Sequence, residues 1–335
     1  MSTEIALVIP LLRELSSELG FDLLLEPEYG HAGRIRTKNG KILYFHSTHF
    51  DINSLGASEI ATDKSYAAFF MQELGYPTPE GKSFFSDAWC KKIGAERNTE
   101  AAVQYARVLG YPILVKPNSR SQGQGVEKVF TDEELQRALT YIFKESGDKV
   151  ALIQRIVEGH DYRIVILDDE VLCAYRRVPL SIVGNGESTV HELLQNKQVE
   201  FVGRGRDTTI SMNDPRIYRK LFRQGMDFES IVQDGVYVKL LDNANLSSGG
   251  EAEDVTEVLH MDYKKMAVKL SRDMGLTFCG IDLMTTHPIH EKLQDYTIIE
   301  INAAPGLDYY AEGGEVQKKT VKELYKRMLT FMLNI

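Results

Sequence analysis

Three oxygen-bearing side chains near the C-terminal end carry the strongest chemical signal in this chain. Thr297-Ile298-Ile299-Glu300-Ile301-Asn302 reads as a buried strand. Side chains alternate along a strand, so Glu300 and Asn302 share one face. Asp282 sits in a second apolar run, Cys279-Gly280-Ile281-Asp282-Leu283-Met284. Oxygens at the ends of buried strands are costly unless paired. A hard cation such as Mg2+ would pair them and keep water and phosphate in the rest of its shell. A hydrogen-bonded polar cluster is the simpler alternative, but two such residues on one face of an apolar strand favour a metal.

Other segments carry weaker signals. Ile113-Leu114-Val115-Lys116-Pro117 delivers a lysine to a strand end, and Ser121-Gln122-Gly123-Gln124-Gly125 comes next as a glycine loop. Glycines let backbone N–H groups approach phosphate, and the lysine adds a point charge. A solvated hairpin with a surface lysine fits the segment equally well. It is not a P-loop, because Gly-Lys-Ser/Thr is missing. Leu152-Ile153-Gln154-Arg155-Ile156-Val157 runs into the turn Glu158-Gly159-His160-Asp161-Tyr162-Arg163. A carboxylate there could accept ribose hydroxyls, or be an ordinary turn acid. Asn243-Ala244-Asn245-Leu246-Ser247-Ser248-Gly249-Gly250 is a small-residue loop whose donors could hold an anion, or a plain surface turn.

These segments need elements to hold them. Helical patterning falls at roughly 62–75, 99–109, 132–146, 189–196 and 262–274, with an amphipathic helix in the first twenty residues. Capping boxes are expected at Thr131–Glu134 and Thr189–Glu192. Short strands are expected at 113–116, 127–130, 152–157, 162–167, 171–178, 237–241, 280–284 and 297–302. Several are too close together for an intervening helix, which predicts antiparallel hairpins and α+β lobes. Breaks near 76–82 and 157–160 suggest lobe boundaries.

Composition sets the outer limits. The 335 residues suffice for two or three lobes, and 43% hydrophobic with 26% charged residues is ordinary for a soluble protein. A net charge of −9 argues against nucleic acid as the main partner. Cys90, Cys173 and Cys279 are odd in number and widely spaced, which predicts free thiols, a reducing compartment and a cytoplasmic protein. No signal peptide pattern is present, and no apolar run approaches the roughly 20 residues of a membrane span.

Taken in order, the lysine strand and glycine loop, the E-G-x-D-Y-R turn, G-I-D-L and I-E-I-N-A-A-P-G resemble the ATP-grasp superfamily of carboxylate–amine ligases. Val183-Gly184-Asn185-Gly186-Glu187-Ser188-Thr189-Val190-His191-Glu192-Leu193 and Ala244-Asn245-Leu246-Ser247-Ser248-Gly249-Gly250 narrow the likeness. They resemble stretches in the ATP-grasp parts of cyanophycin synthetase and of bifunctional glutathione synthetase.

The resemblance, over about 58–310, implies an ATP-grasp fold with ATP between two α+β lobes and a short N-terminal lobe. The expected division is 1–80 for the N-terminal lobe, 81–157 for the small lid lobe and 158–335 for the C-terminal lobe. It implies an ATP-dependent ligase that activates a carboxylate as an acyl-phosphate and releases ADP and phosphate as an amide forms. Lys116 and Ser121, Gly123 and Gly125 of the loop would contact phosphate. Gln154, Arg155 and Val157 would face adenine, and Asp161 the ribose. Arg163, Arg177, Asn245, Ser247, Gly249 and Gly250 would serve the acyl and phosphoryl groups. Asp282, Glu300 and Asn302 would hold Mg2+, with Mn2+ as an alternative.

Three positions depart from the family pattern. Gln154 stands where Glu is usual, and Arg120 where many relatives have Gly. Leu241 replaces a frequent arginine, which puts the acyl contact there in question. The chain ends at Ile335, without a second ligase domain, so a single ligation is expected. Partners would be a small carboxylate and an amine, amino acids or short peptides, with no nucleic acid and no membrane; the likeness also admits a homodimer. The competing classes are a kinase-type ATP-grasp protein and a nucleotide binder without turnover. Residues 1–60 match poorly, and His46, His49 and Asp51 near Asn53 read as polar loop residues rather than a metal cluster.

Overall fold

A computed structural model of the chain describes residues 7–120, 123–206 and 208–334. Helix α1 (Val8–Leu19) leads into a four-stranded antiparallel sheet, β1 (Asp22–Leu25), β2 (Ala32–Arg36), β3 (Ile42–His46) and β4 (His49–Phe50). Helices α2 (Leu55–Thr62) and α3 (Lys64–Glu73) come next. A second unit comprises β5 (Gly81–Phe85), α4 (Asp87–Ile93), α5 (Thr99–Leu109), β6 (Ile113–Pro117), β7 (Glu127–Val129), α6 (Asp132–Thr140) and β8 (Val150–Arg155). Its sheet runs β5-β8-β6-β7. Then come β9 (His160–Leu167), β10 (Glu170–Val178), β11 (Ser181–Val183), α7 (Val190–Gly203), α8 (Pro215–Arg223), β12 (Tyr237–Lys239) and β13 (Glu251–Asp254). Helix α9 (Met261–Asp273), β14 (Phe278–Thr285), β15 (Thr297–Asn302), α10 (Asp308–Ala311) and α11 (Glu315–Leu333) complete the chain.

The central sheet has the order β13-β10-β9-β14-β15, with antiparallel pairing throughout. It is covered on both faces, so its inner strands carry apolar residues on both sides, apart from a charged row at one end. Val165, Leu167, Cys173 and Tyr175 pack with α1 and α11. Tyr162, Ile164, Ile166, Cys279, Ile281 and Leu283 pack with α3 and α9. The first cluster joins Ile9, Leu12 and Leu15 to Val321, Tyr325 and Met328, so the two chain ends share one core. The N-terminal helix is amphipathic as expected, and Gly20 closes it at φ 71°. A third apolar cluster lies within 84–153, and a fourth within 180–241 around α7, α8, β11 and β12.

Local signals explain most boundaries. Thr189 and Glu192 form the complete capping box. Thr131 accepts from Glu134 N, but Glu134 reaches back one residue further, to Phe130 N. The helix expected at 62–75 starts instead at Lys64, because the Asp63 carboxylate accepts from Ser65 N and Tyr66 N and caps it there. The helix expected at 189–196 continues to Gly203, held by Leu194 and Phe201 in the apolar cluster of its unit. The helix expected at 132–146 turns π-helical over Tyr141–Glu145.

One side chain ties the N-terminal segment to the central sheet. Asn53 Nδ2 donates to Phe278 O and Ala303 O at 2.7 and 2.8 Å, and its Oδ1 accepts from Thr277 N and Phe278 N at 2.8 and 3.0 Å. That uses the full capacity of the amide. Asn53→Ala should therefore destabilise the fold by about 2–4 kcal/mol in urea unfolding, since it strands four backbone groups. Asn53→Asp should also destabilise it, by removing both donors; wild-type stability in either variant would contradict this role.

Candidate active site

The inner face of the second unit's sheet and one end of the central sheet face each other across a cavity of about 1520 Å3. Register places the facing groups. On the side of the second unit, Leu114 pairs with Lys128 and with Gln154, and Lys116 lies two residues along the same strand. Lys116 and Gln154 are each at least 96% buried, and both line the cavity. The partners of opposite parity, Ile113, Val115 and Ile153, point into the apolar core of the second unit. Strand alternation thus sorts one polar face from one apolar face.

On the opposite wall, Glu300 pairs with Asp282, Asp282 with Arg163, and Arg163 with Tyr175. One row along, Arg177 pairs with Asp161. Neighbouring strands lie roughly 4.8 Å apart, so register alone brings these groups into contact. Arg163 Nε and Nη2 donate to the two Asp282 oxygens at 2.6 and 2.8 Å. Arg177 Nη2 lies 2.9 Å from Asp282 Oδ2 and 2.7 Å from Asp161 Oδ1. Lys64 Nζ stands 3.5 Å from Glu300 Oε1. Asn302, with its amide oriented to satisfy both ends, donates to Glu300 Oε1 and accepts from Arg163 Nη2, each at 3.1 Å.

The expected shared face of Glu300 and Asn302 is present, but strict alternation is not. Register slips between Asp282/Leu283 and Glu300/Ile298, leaving Ile299 as the extra residue. Ile298 and Ile301 both enter the core, whereas Ile299, Glu300 and Asn302 line the cavity. A bulge re-aims side chains in this way.

Electrostatics follow from burial and pairing. Burial alone would raise Asp282, but Arg163 and Arg177 outweigh it and hold the carboxyl below its usual range. Asp161 is raised, by burial first and then by Asp282, with Arg177 opposing. Burial lowers the Lys116 amine to about 8, against the pull of Glu300 and Asp282. The cavity centre thus sets Lys64, Lys116, Arg163 and Arg177 against Asp161, Asp282 and Glu300. A cation is left over, which suits a polyanion. The buried Gln154 Oε1 has no hydrogen-bond partner, which suits a ligand N–H.

The other expected residues fall in several places. Gly123 and Val157 line the cavity; Arg155 does too, and pairs with Glu80 at 3.0 Å. Gly125 lies outside the lining at φ 67°, where a Cβ would come within 2.9 Å of Pro117. Ser121 lies outside the described residues. Asn245 and Ser247 line the cavity, whereas Gly249 and Gly250 are buried behind them. A Cβ on Gly250 would stand 2.9 Å from three backbone oxygens, so this glycine serves close packing. Arg120 turns its guanidinium to Asp148 and Ser146 O. Leu241 packs on the apolar cluster of 180–241 and also lines the cavity. Lys239, two residues earlier, lines the cavity, with its amine lowered chiefly by burial. The His46 and His49 rings lie tilted 6.5 Å apart, Asp51 accepts from Tyr44 N, and His49 lines the cavity.

Sequence reasoning missed Lys64, Arg216, Lys239, Met284 and Ile299 in the lining. Lys64 carries no local signal, since it is an ordinary first-turn helix residue until the fold sets it against Glu300. Alternation along Tyr237–Leu241 could have flagged Lys239 once Leu241 was noticed.

Among the described residues no group of three or more His, Cys, Asp or Glu is arranged to hold a metal ion. Asp282, Glu300 and Asn302 supply two carboxylates and an amide, hard oxygen donors that fit Mg2+ only if a ligand completes the shell. No helix among the described residues is long and apolar enough to cross a membrane.

Residues 70–191 match the family described as D-ala D-ala ligase C-terminus, and residues 234–324 match the RimK-like ATP-grasp domain. The chain is 30% identical over 259 residues to cyanophycin synthetase of Crocosphaera subtropica, covering 75% of this chain and 28% of that protein. It is 29% identical over 290 residues to the glutathione biosynthesis bifunctional protein of Streptococcus mutans, covering 82% and 36%. The bifunctional glutathione synthetase structure from Pasteurella multocida aligns with a TM-score of 0.58 at 25% identity, over 95% of this chain and 44% of that one. The chain thus spans 28% and 36% of the two curated relatives and less than half of the solved structure.

Lys116 gives this site a pH signature. Between about 8 and its ordinary 10.5 the unfolded chain holds a proton there that the folded chain has released. Stability from this group therefore grows as pH rises through that window and is lost as pH falls through about 8. Urea unfolding at pH 8 and pH 10 should show a rising contribution in the wild type that Lys116→Met lacks. Parallel pH profiles for the two proteins would contradict the assignment.

Proposed function

We propose that this chain, which carries an ATP-grasp domain, is an ATP-dependent carboxylate–amine ligase acting on an amino acid or a short peptide. The observation that carries the reading is the facing of Lys116 and Gln154 on the lid wall against the Glu300–Asp282–Arg163 row on the other. Hard oxygens, surplus positive charge and an unpaired amide oxygen meet in one cavity, as magnesium, triphosphate and adenine would require.

In this reading Gln154 Oε1 accepts from the adenine amino group, and Leu114, Met284 and Ile299 give the base an apolar bed. Lys116, Lys64 and the backbone near Gly123 neutralise phosphate. Glu300 and Asn302, with Asp282, would hold Mg2+, which supplies charge neutralisation as phosphoryl transfer proceeds. Asp161 and Asp282 are tied up by Arg177 and Arg163. Ligand phosphate would draw these guanidiniums away and free the carboxylate oxygens. The γ-phosphoryl group then passes to the substrate carboxylate, and an amine displaces phosphate from the acyl-phosphate to form the amide. No side-chain nucleophile is needed, because positioning and charge neutralisation dominate such transfers. The Asn243–Ser247 loop supports the acyl end. Cys90, Cys173 and Cys279 are unpaired and buried, which supports a cytoplasmic setting.

The test is phosphate release screened over amino acids and short peptides, singly and in pairs, with product mass. Release that requires both a carboxylate and an amine is expected. ATP consumption with a hydroxyl compound alone, giving a stable phosphorylated product, would replace ligase with kinase. Glu300→Ala should lower turnover by at least about a hundredfold while leaving the fold intact. Near-wild-type turnover would remove Glu300 from the metal set. Nucleotide affinity should fall as pH rises above about 8, where Lys116 loses its proton, and Lys116→Arg should flatten that fall.

A further inference from the structure

Helix α8 buries Ile217 and Leu221 in the core of the 180–241 unit. Arg216, Arg219 and Arg223 recur at helical spacing and turn toward the lid unit. Each makes a contact that crosses between units. Arg216, gripped by Asp214 at 2.7 Å, donates from Nη1 to Gly123 O at 3.3 Å. Arg219 Nη2 lies 3.0 Å from Glu127 Oε1 at the start of β7. Arg223 Nη2 lies 2.5 Å from Glu134 Oε1 in α6, and its guanidinium stacks 4.0 Å over the Phe130 ring. The two ion pairs are 17–27% exposed, so they are screened less than surface pairs.

A second observation points the same way. The Asn243 and Asn245 amides crowd Gly123 so closely that a Cβ there would stand 2.5 and 2.2 Å from their nitrogens. Gly123 therefore rests on the loop after β12, which belongs to the same unit as α8.

We propose that Arg216, Arg219 and Arg223 are positioning residues that latch the segment from Gly123 to Glu134 over the nucleotide site. The latch couples lid closure to the placement of the Asn243–Ser247 loop. The coupling rests on the ATP-site reading above; the latch itself rests on the contacts. Closing the lid and setting the acyl-side loop are then one event, because α8 holds the lid through these arginines and the start of that loop through the Lys220–Asp242 pair at 2.6 Å.

Amide exchange of residues 123–130 tests the latch without any ligand. Arg219→Ala/Arg223→Ala should speed exchange there by about tenfold. Arg137→Ala is the control, because Arg137 also pairs with Glu127 but from inside the lid unit; it should leave the loop protected. Arg216→Ala should speed exchange at Gly123–Val126 alone. If the double variant loses the fold, Arg219→Gln and Arg223→Gln are read the same way. Unchanged exchange, or an equal increase in Arg137→Ala, overturns the latch. Mg-ADP binding by calorimetry should weaken about tenfold in the double variant, and unchanged affinity overturns the coupling to the nucleotide. Failure of the wild type itself to bind Mg-ADP would instead defeat the ATP reading, leaving the exchange result to decide the latch.

Discussion

The site depends on one buried carboxylate. Asp282 is 3% exposed and stands between two guanidiniums. A carboxylate at that depth is tolerated only when fully paired, and removing either arginine would strand a charge. The pairing needs no long reach, because Arg163 is the cross-strand neighbour of Asp282 and Arg177 comes from the next strand. The antiparallel register of β10, β9 and β14 is therefore both the fold's scaffold and the site's wiring. A slip of one residue would send each of these side chains to the opposite face, into the apolar cluster.

Keeping that register requires a sheet buried on both sides. One face is sealed by α3 and α9, the other by α1 and α11, which meet although they come from opposite ends of the chain. Asn53 pins the N-terminal segment to β14 and to the turn after β15. The N-terminal stretch, chemically silent in the sequence, thus completes the layer that lets the charged row stand at the sheet's end.

Much of this was legible because it is local. The strands were marked by apolar runs, the helix 99–109 by its pattern and Gly110, and α7 by the Thr189–Glu192 box. Misreadings also have local causes. Asp63 sets the start of the helix expected at 62–75, because its carboxylate caps the helix that begins at Lys64. The break in alternation at Ile299 is a bulge, which period-two reasoning does not anticipate. Gly249 and Gly250, expected on the acyl side, are buried behind the loop, where close packing is set by tertiary contacts that local sequence does not show.

By itself the sequence determined which residue types could serve a nucleotide and metal, their order, and the strands that carry them, because strand periodicity and turn chemistry act over a few residues. It did not determine what stands opposite what. Lys64 against Glu300, Arg177 against Asp161, and the α8 arginines against the lid join residues far apart in the chain. Such contacts are set by sheet order and unit packing, so only the tertiary structure decided that the carboxylates are held by arginines and that Gly123 rests on Asn243 and Asn245.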